Sequence, residues 1–127
     1  MTKYTWLGDY MLAKPGVTKD FKVEWEWERY MVGGKMFAAL MHPSKKYDPL
    51  YAEKDLINLK CEPLLAEALR NEHPEVLPGF YSDKRTWNSV DLGGSLPDGL
   101  LQKMIDDSYS LVFNKLTKKL QAEITGG

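Results

Sequence analysis

Cysteine is almost missing from this chain. Cys61 is the only one in 127 residues, so no internal disulfide framework can form, and a reducing compartment suits it. Histidine is nearly as scarce, with His42 and His73 alone. No pair among these three has metal-ligand spacing, so a zinc site lacks its ligands and Cys61 reads as a small buried hydrophobe. Neither charge dominates: 17 Lys and Arg stand against 18 Asp and Glu, for a formal net charge of −1. A dedicated nucleic-acid binder usually carries a basic excess, so any such contact has to rest on a local patch. No apolar run approaches membrane-spanning length, and the opening Met-Thr-Lys-Tyr-Thr-Trp has no apolar signal region. The expectation is a cytoplasmic protein with no membrane partner. Walker loops, dinucleotide fingerprints, Gly-x-Ser-x-Gly and His-Glu-x-x-His are also absent. An enzyme reading therefore has no positive support, and no cofactor is expected.

What is present reads as one domain over residues 1–120, followed by a flexible C-terminal tail at 121–127. Trp6, Leu7, Tyr10 and Met11 recur at helical spacing until Lys14-Pro15-Gly16 stops them. Phe21, Val23, Trp25 and Trp27 alternate with Lys22, Glu24, Glu26 and Glu28, which predicts one half-buried strand over 21–28 with the glutamates as a solvated stripe. Strands at 29–32 and 35–41 follow, joined by Gly33-Gly34 as a tight hairpin. Residues 42–53 form a polar, proline-bearing loop, read as a mobile excursion. A strand over 54–61 places Leu56, Asn58 and Lys60 opposite Ile57, Leu59 and Cys61.

Glu62-Pro63 opens a helix with proline in its first turn and an apolar stripe of Leu64, Leu65, Ala68 and Leu69. A further strand is expected over 87–92. Ser95 then reads as the N-cap of a long final helix, with Asp98 completing a capping box. Its stripe runs from Leu100 to Leu116, Ser108 on it bonds the preceding turn, and Lys115, Lys118 and Lys119 sit near its C-terminus. The order α-β-β-β-β-α-β(β)-α argues an α+β fold of two layers, an antiparallel sheet with helices on one face.

The densest mixture of recognition chemistry is the stretch 80–92, with Lys84, Arg85, Trp87 and Asn88. Cations meet phosphates, an indole stacks and an amide reads a base edge. The plainer alternative makes Trp87 core, Asn88 a backbone-bonding turn residue and the cations solvated. Lys35 and Lys60 each interrupt an otherwise apolar strand. They either snorkel from a sheet edge or join Lys84 and Arg85 in one basic patch. The four tryptophans also suit a protein-partner surface if Trp25 and Trp27 are half exposed.

The successive motifs Lys14-Pro15-Gly16, Gly33-Gly34-Lys35-Met36-Phe37-Ala38, Asn58-Leu59-Lys60-Cys61 before Glu62-Pro63, Pro78-Gly79, Lys84-Arg85-Thr86-Trp87-Asn88-Ser89-Val90 and Ser108-Tyr109-Ser110-Leu111-Val112 resemble those of the MmcQ/YjbR family. The resemblance runs from about residue 4 to about 118. It implies a compact α+β fold similar to CyaY-like or secretion-chaperone-like proteins. It also implies contact with double-stranded DNA through a double-wing arrangement, without catalysis. On this reading Lys35, Lys60, Lys84, Arg85, Trp87 and Asn88 form the DNA-binding surface. A protein-interaction module, adaptor or chaperone-like, is the alternative. The chain departs from the family pattern in having Phe80-Tyr81-Ser82-Asp83 where a Tyr-His-Met-Asn run is common, and Thr86 where a histidine often precedes the tryptophan.

Overall fold

The computed structural model describes residues 3–126. The first half comprises helix α1 (Leu7–Leu12) and strands β1 (Val17–Lys22), β2 (Trp27–Val32), β3 (Lys35–Met41) and β4 (Leu56–Lys60). The second half comprises helix α2 (Pro63–Glu72), strands β5 (Val76–Pro78) and β6 (Trp87–Asp91), and helices α3 (Asp98–Phe113) and α4 (Lys118–Thr125). The strands form one sheet in the order β1-β2-β3-β4-β6-β5, with every neighbouring pair antiparallel. The α+β class with an antiparallel sheet is therefore as expected.

The period-two alternation of β4 survives folding because both of its faces are covered. Ile57 and Leu59 join Tyr30, Phe37 and Val90 beneath Leu7 and Met11 of α1 and Leu101 and Ile105 of α3. Leu56 faces the other way and packs with Trp27, Ala39 and Met41 beneath Tyr51 and Phe80. The helices thus lie on one face and loops cover part of the other. Tyr51 is buried and its hydroxyl donates to the Pro78 carbonyl at 2.8 Å. The 42–53 loop is accordingly a cover for the sheet, not an excursion away from it.

The strand expected over 21–28 is instead two. Backbone N–H groups of Trp25 and Glu26 donate to the Lys22 and Val23 carbonyls, and Glu26 has φ +58°, so the chain turns through residues 23–26. Alternation there marked the tip of a hairpin: Phe21, Val23 and Trp25 are 58%, 70% and 47% exposed, and only Trp27 is buried. The glutamates consequently do not share one strand face. At the next hairpin Gly33 and Gly34 have φ +58° and +79°, the backbone the glycine pair was expected to supply.

The helix ends also differ. Ser95 does not cap α3, because its N–H and hydroxyl both donate to the Glu75 carboxylate at 3.2 and 3.1 Å; Pro97 precedes the helix without a side-chain cap. In α2 the buried side chains are Ala66 and Leu69, while Leu64 and Leu65 are exposed. Residues 121–125, read as tail, belong to α4. Thr117 accepts the Leu120 N–H at 3.1 Å and Gly126 ends the helix at φ +75°. Lys118 and Lys119 therefore begin a helix, where its dipole does not favour them. Gly127 lies outside the described residues.

Candidate functional site

The site begins with a defect in the sheet. Tyr30 pairs with Ala38 but Met31 with Met36, leaving Phe37 as the extra residue of a β-bulge. Phe37 and Ala38 consequently both enter the helix-side core. Ser108 of α3 fills the gap the bulge leaves between β3 and β4. Its hydroxyl donates to the Phe37 carbonyl at 2.6 Å and accepts the Lys60 N–H at 2.8 Å. This overturns the expectation that Ser108 bonds within its own helix. Beyond the wedge the two strands part, and a notch of about 220 Å³ opens between them. Val112 and Leu116 line it with Met36, and Lys35, Lys60 and Lys115 bring three ammonium groups to it.

Lys35 and Lys60 are thus brought together, joined by Lys115, which was assigned only to a helix end. Lys60 Nζ also lies 5.8 Å from the centroid of the half-buried Trp87 ring, a cation–π distance. Lys84 and Arg85 occupy a turn that precedes β6, so the strand geometry expected for them does not apply. Lys84 Nζ donates to the Gly79 carbonyl at 2.8 Å and lies 5.6 Å from the Tyr51 ring. The Arg85 side chain is exposed, 3.8 Å from the Asp83 carboxylate. Asn88 is fully buried, accepting from Arg70 at 2.7 Å and donating to the Ala66 carbonyl at 3.3 Å. An amide spent in this way cannot read a base edge.

Charge pairing separates the notch from much of the surface. Lys14 is paired with Asp106, Lys19 with Glu28, Lys22 with Glu24, Arg29 with Asp20 and Lys103 with Asp107. The Arg29 hydrogen bonds hold the Asp20 carboxyl below its ordinary range, and Lys22 does the same for Glu24. Among the described residues, Lys35, Lys60 and Lys115 have no carboxylate within ion-pair distance, and no acidic residue lines the notch.

The sheet face away from the helices carries an aromatic array that the sequence divides among separate elements. A shallow cavity of about 190 Å³ lies against Trp25, Trp27, Met36, Tyr81 and Trp87. Tyr81, 67% exposed, is held at φ +56°, a conformation that costs a bulky residue roughly 1–2 kcal/mol. The anchor lies beneath it. Buried Asn58 and Ser89 face each other across β4 and β6 and are hydrogen bonded. Asn58 donates to the Phe80 carbonyl and Ser89 accepts the Phe80 N–H, both at 2.8 Å. The only signal of this in the sequence is a polar residue at a core position of each strand.

Among the described residues, no three His, Cys, Asp or Glu side chains converge as metal ligands. Burial pushes the Cys61 thiol pKa up, away from the thiolate a nucleophile needs. No helix among the described residues is long and apolar enough to cross a membrane.

The architecture defines a small α+β protein in which one antiparallel sheet is backed by helices and presents aromatic rings at its other face, with a lysine-lined notch where β3, β4 and α3 meet. By sequence the chain matches the YjbR family over residues 12–111, and it belongs to that family. It is 31% identical over 110 residues to the uncharacterised protein YjbR of Escherichia coli K12, covering 87% of this chain and 86% of that one. It is 32% identical over 116 residues to the uncharacterised protein YyaQ of Bacillus subtilis 168, covering 80% and 91%. The crystal structure of Deinococcus radiodurans protein DR2400, described with the domain DUF419, superposes with TM-score 0.80 at 28% identity, covering 98% of this chain and 89% of that one. A Pseudomonas syringae protein of known crystal structure gives TM-score 0.70 at 28% identity, covering 87% and 98%.

Proposed function

We propose that this protein binds double-stranded DNA without catalysis, through phosphate contacts centred on Lys35, Lys60 and Lys115. The observation that carries the reading is the notch: three ammonium groups share one opening that no carboxylate lines. Unneutralised cations raise the local potential even where the net charge of the chain is −1. Trp87, drawn to Lys60, offers a ring face beside the phosphates. Lys84 and Arg85 extend the surface from the turn before β6, Arg85 being the freer of the two. Asn88 takes no part, since it faces α2.

Neutralising three phosphates gives a slope of log affinity against log salt of roughly −3. Fluorescence anisotropy on a labelled random duplex, titrated from low to physiological salt, measures it. K35A/K60A reduces the slope by roughly 2, while K84A/R85A has a smaller effect. No binding at low salt, or an unchanged slope in K35A/K60A, removes the reading.

A protein-partner reading stands second, favoured by Phe21, Val23, Trp25 and Tyr81, all large, apolar and exposed. A discrete partner retained by the wild type and lost from W25A/Y81A supports it. Monomeric behaviour with no retained partner counts against it.

A further inference from the structure

We propose that the cavity beside the β1–β2 turn binds an alkylated ammonium head group, of which choline is the simplest example. It lies on the sheet face away from the helices, has a volume of about 260 Å³, and does not rest on the lysine notch. That volume falls just below the range of drug-sized sites, which suits a head group.

Five aromatic rings line it, Trp25, Trp27, Tyr47, Phe80 and Tyr81, with Phe80 and Tyr81 stacked 5.3 Å apart at 19° and the other pairs steeply angled. Trp25 and Trp27 lie 5.2 Å apart at 61°, Tyr47 and Phe80 5.2 Å at 89°, and Tyr47 and Tyr81 6.2 Å at 80°. Trp27 and Phe80 are buried, while Trp25 and Tyr81 stand out as exposed walls. Both walls are fixed. Tyr81 follows Phe80, whose backbone N–H and carbonyl are both held by Ser89 and Asn58, and Trp25 precedes Glu26 at φ +58°.

Cations favour such a cavity because ring faces carry negative potential. Glu24 and Glu26 also line it, the Glu24 carboxylate being already paired with Lys22 at 2.9 Å. The protein's own ammonium groups already lie near two of the rings, Lys22 Nζ 5.4 Å from Trp25 and Lys46 Nζ 5.3 Å from Tyr47. Alkylation matters because rings, unlike carbonyls, do not compensate an N–H donor for the water it loses. A methylated head group brings no such donor. Lys46 also lines the cavity, so it competes with the ligand.

The test is tryptophan fluorescence during titration with choline chloride at constant ionic strength, beside 3,3-dimethylbutan-1-ol as the uncharged isostere. Choline gives a saturable change at millimolar concentration or below, and the isostere binds at least about tenfold more weakly. Y81A weakens choline about tenfold, Y81F retains it, and K46M strengthens it severalfold. W25A, assayed by calorimetry because it removes a reporter, also weakens it about tenfold. Trp25 and Tyr81 are exposed, so these variants fold, as circular dichroism verifies. K35A/K60A leaves choline binding unchanged, which keeps this site distinct from the DNA reading. A peptide with trimethylated lysine carries the same head group: tighter binding than choline assigns a protein source, and equal binding a small molecule. No saturable response to choline, an equal response to the isostere, or Y81A behaving as wild type overturns the proposal.

Discussion

The hydroxyl of Ser108 donates to the carbonyl of Phe37 at 2.6 Å, across 71 residues of chain. The same oxygen accepts the Lys60 N–H, so one helix side chain closes a gap between two strands. Because the bulge at Phe37 spoils direct pairing there, the hydroxyl supplies the missing acceptor and donor together. It also determines where β3 and β4 part, and hence where Lys35 and Lys60 meet.

Ser108→Ala tests this directly. It leaves a buried carbonyl and a partly buried N–H without a partner, at a cost of about 1–3 kcal/mol each before relaxation. Urea denaturation is expected to register a loss of about 2 kcal/mol with unchanged m-value. A loss below about 0.5 kcal/mol, within the range of an ordinary surface substitution, means that the strands pair directly and the wedge is dispensable.

Asn58→Ala removes the support of the aromatic loop instead. The Ser89 hydroxyl loses its acceptor inside the sheet and the Phe80 carbonyl keeps only the 3.2 Å bond from Ser82, costing about 2 kcal/mol. The larger effect is local: hydrogen exchange of amides in residues 79–86 is expected to accelerate relative to β2 and β3. Ser82→Ala removes the 3.2 Å contacts of its hydroxyl with Asn58 and with the Phe80 carbonyl, but leaves that exchange nearly unchanged because Asn58 still holds the carbonyl at 2.8 Å. Uniform acceleration across all six strands contradicts the anchoring role.

Much of this fold is legible in the sequence because burial and period agree. Leu56 to Lys60 alternates on a strand covered on both faces, and Gly33-Gly34 marks a hairpin at positive φ. The β1–β2 region misleads because Phe21, Val23 and Trp25 alternate as a strand does while standing in water around a turn. Period two reports pleat only when one face is buried. α4 announces itself through Thr117, Leu116, Leu120, Ile124 and Gly126, a cap, a four-residue spacing and a stop. Its position at the end of the chain argued against reading them so. Lys35 and Lys60 were each conspicuous as lysines within apolar strands. Their meeting depends on a bulge and a serine wedge that no local pattern encodes, and Lys115 joins them only through the course of α3. Asn88 shows the converse, since recognition chemistry in the sequence became a buried bridge to α2.

The docking of α4 is tested at the β2–β3 hairpin. A Cβ built at Gly33 falls 2.6 Å from Leu116 Cδ1 and 3.1 Å from Leu120 Cδ2, whereas one at Gly34 meets nothing within 4 Å. Both glycines have positive φ, so alanine at either carries a backbone cost of about 1–2 kcal/mol. Gly33→Ala is expected to cost about 1 kcal/mol more than Gly34→Ala, the added part being overpacking. In a Leu116→Ala background that difference shrinks, by the logic of a double-mutant cycle, leaving only the part due to Leu120. A difference that persists unchanged means that Leu116 and Gly33 are not in contact in solution.

Alkaline pH puts the buried tyrosines to the test. Tyr30 is 1% exposed, and burial together with the nearby Glu28 carboxylate raises its phenol pKa to about 12 from an ordinary 10.0. Burial raises Tyr4, Tyr51 and Tyr109 in the same direction. In the folded state the neutral phenol is retained over a pH range where the unfolded chain has already lost the proton. Below pH 10 both states hold it, and its contribution to stability is fully present. As pH rises from about 10 toward about 12 the unfolded state binds fewer protons than the native state, so stability falls. Tyr30 alone contributes a slope of at most about 1.4 kcal/mol per pH unit. Stability from urea titrations is therefore expected to decline gently from about pH 9, where the buried Cys61 thiol resists ionisation in the same sense, and to drop steeply above 10. Tyr30→Phe, which removes the ionisable group and a 3.3 Å hydrogen bond to Glu28, makes that drop shallower by about one proton. An identical alkaline slope in wild type and variant means that Tyr30 ionises in the native state without resistance, and that the other buried tyrosines set the limit.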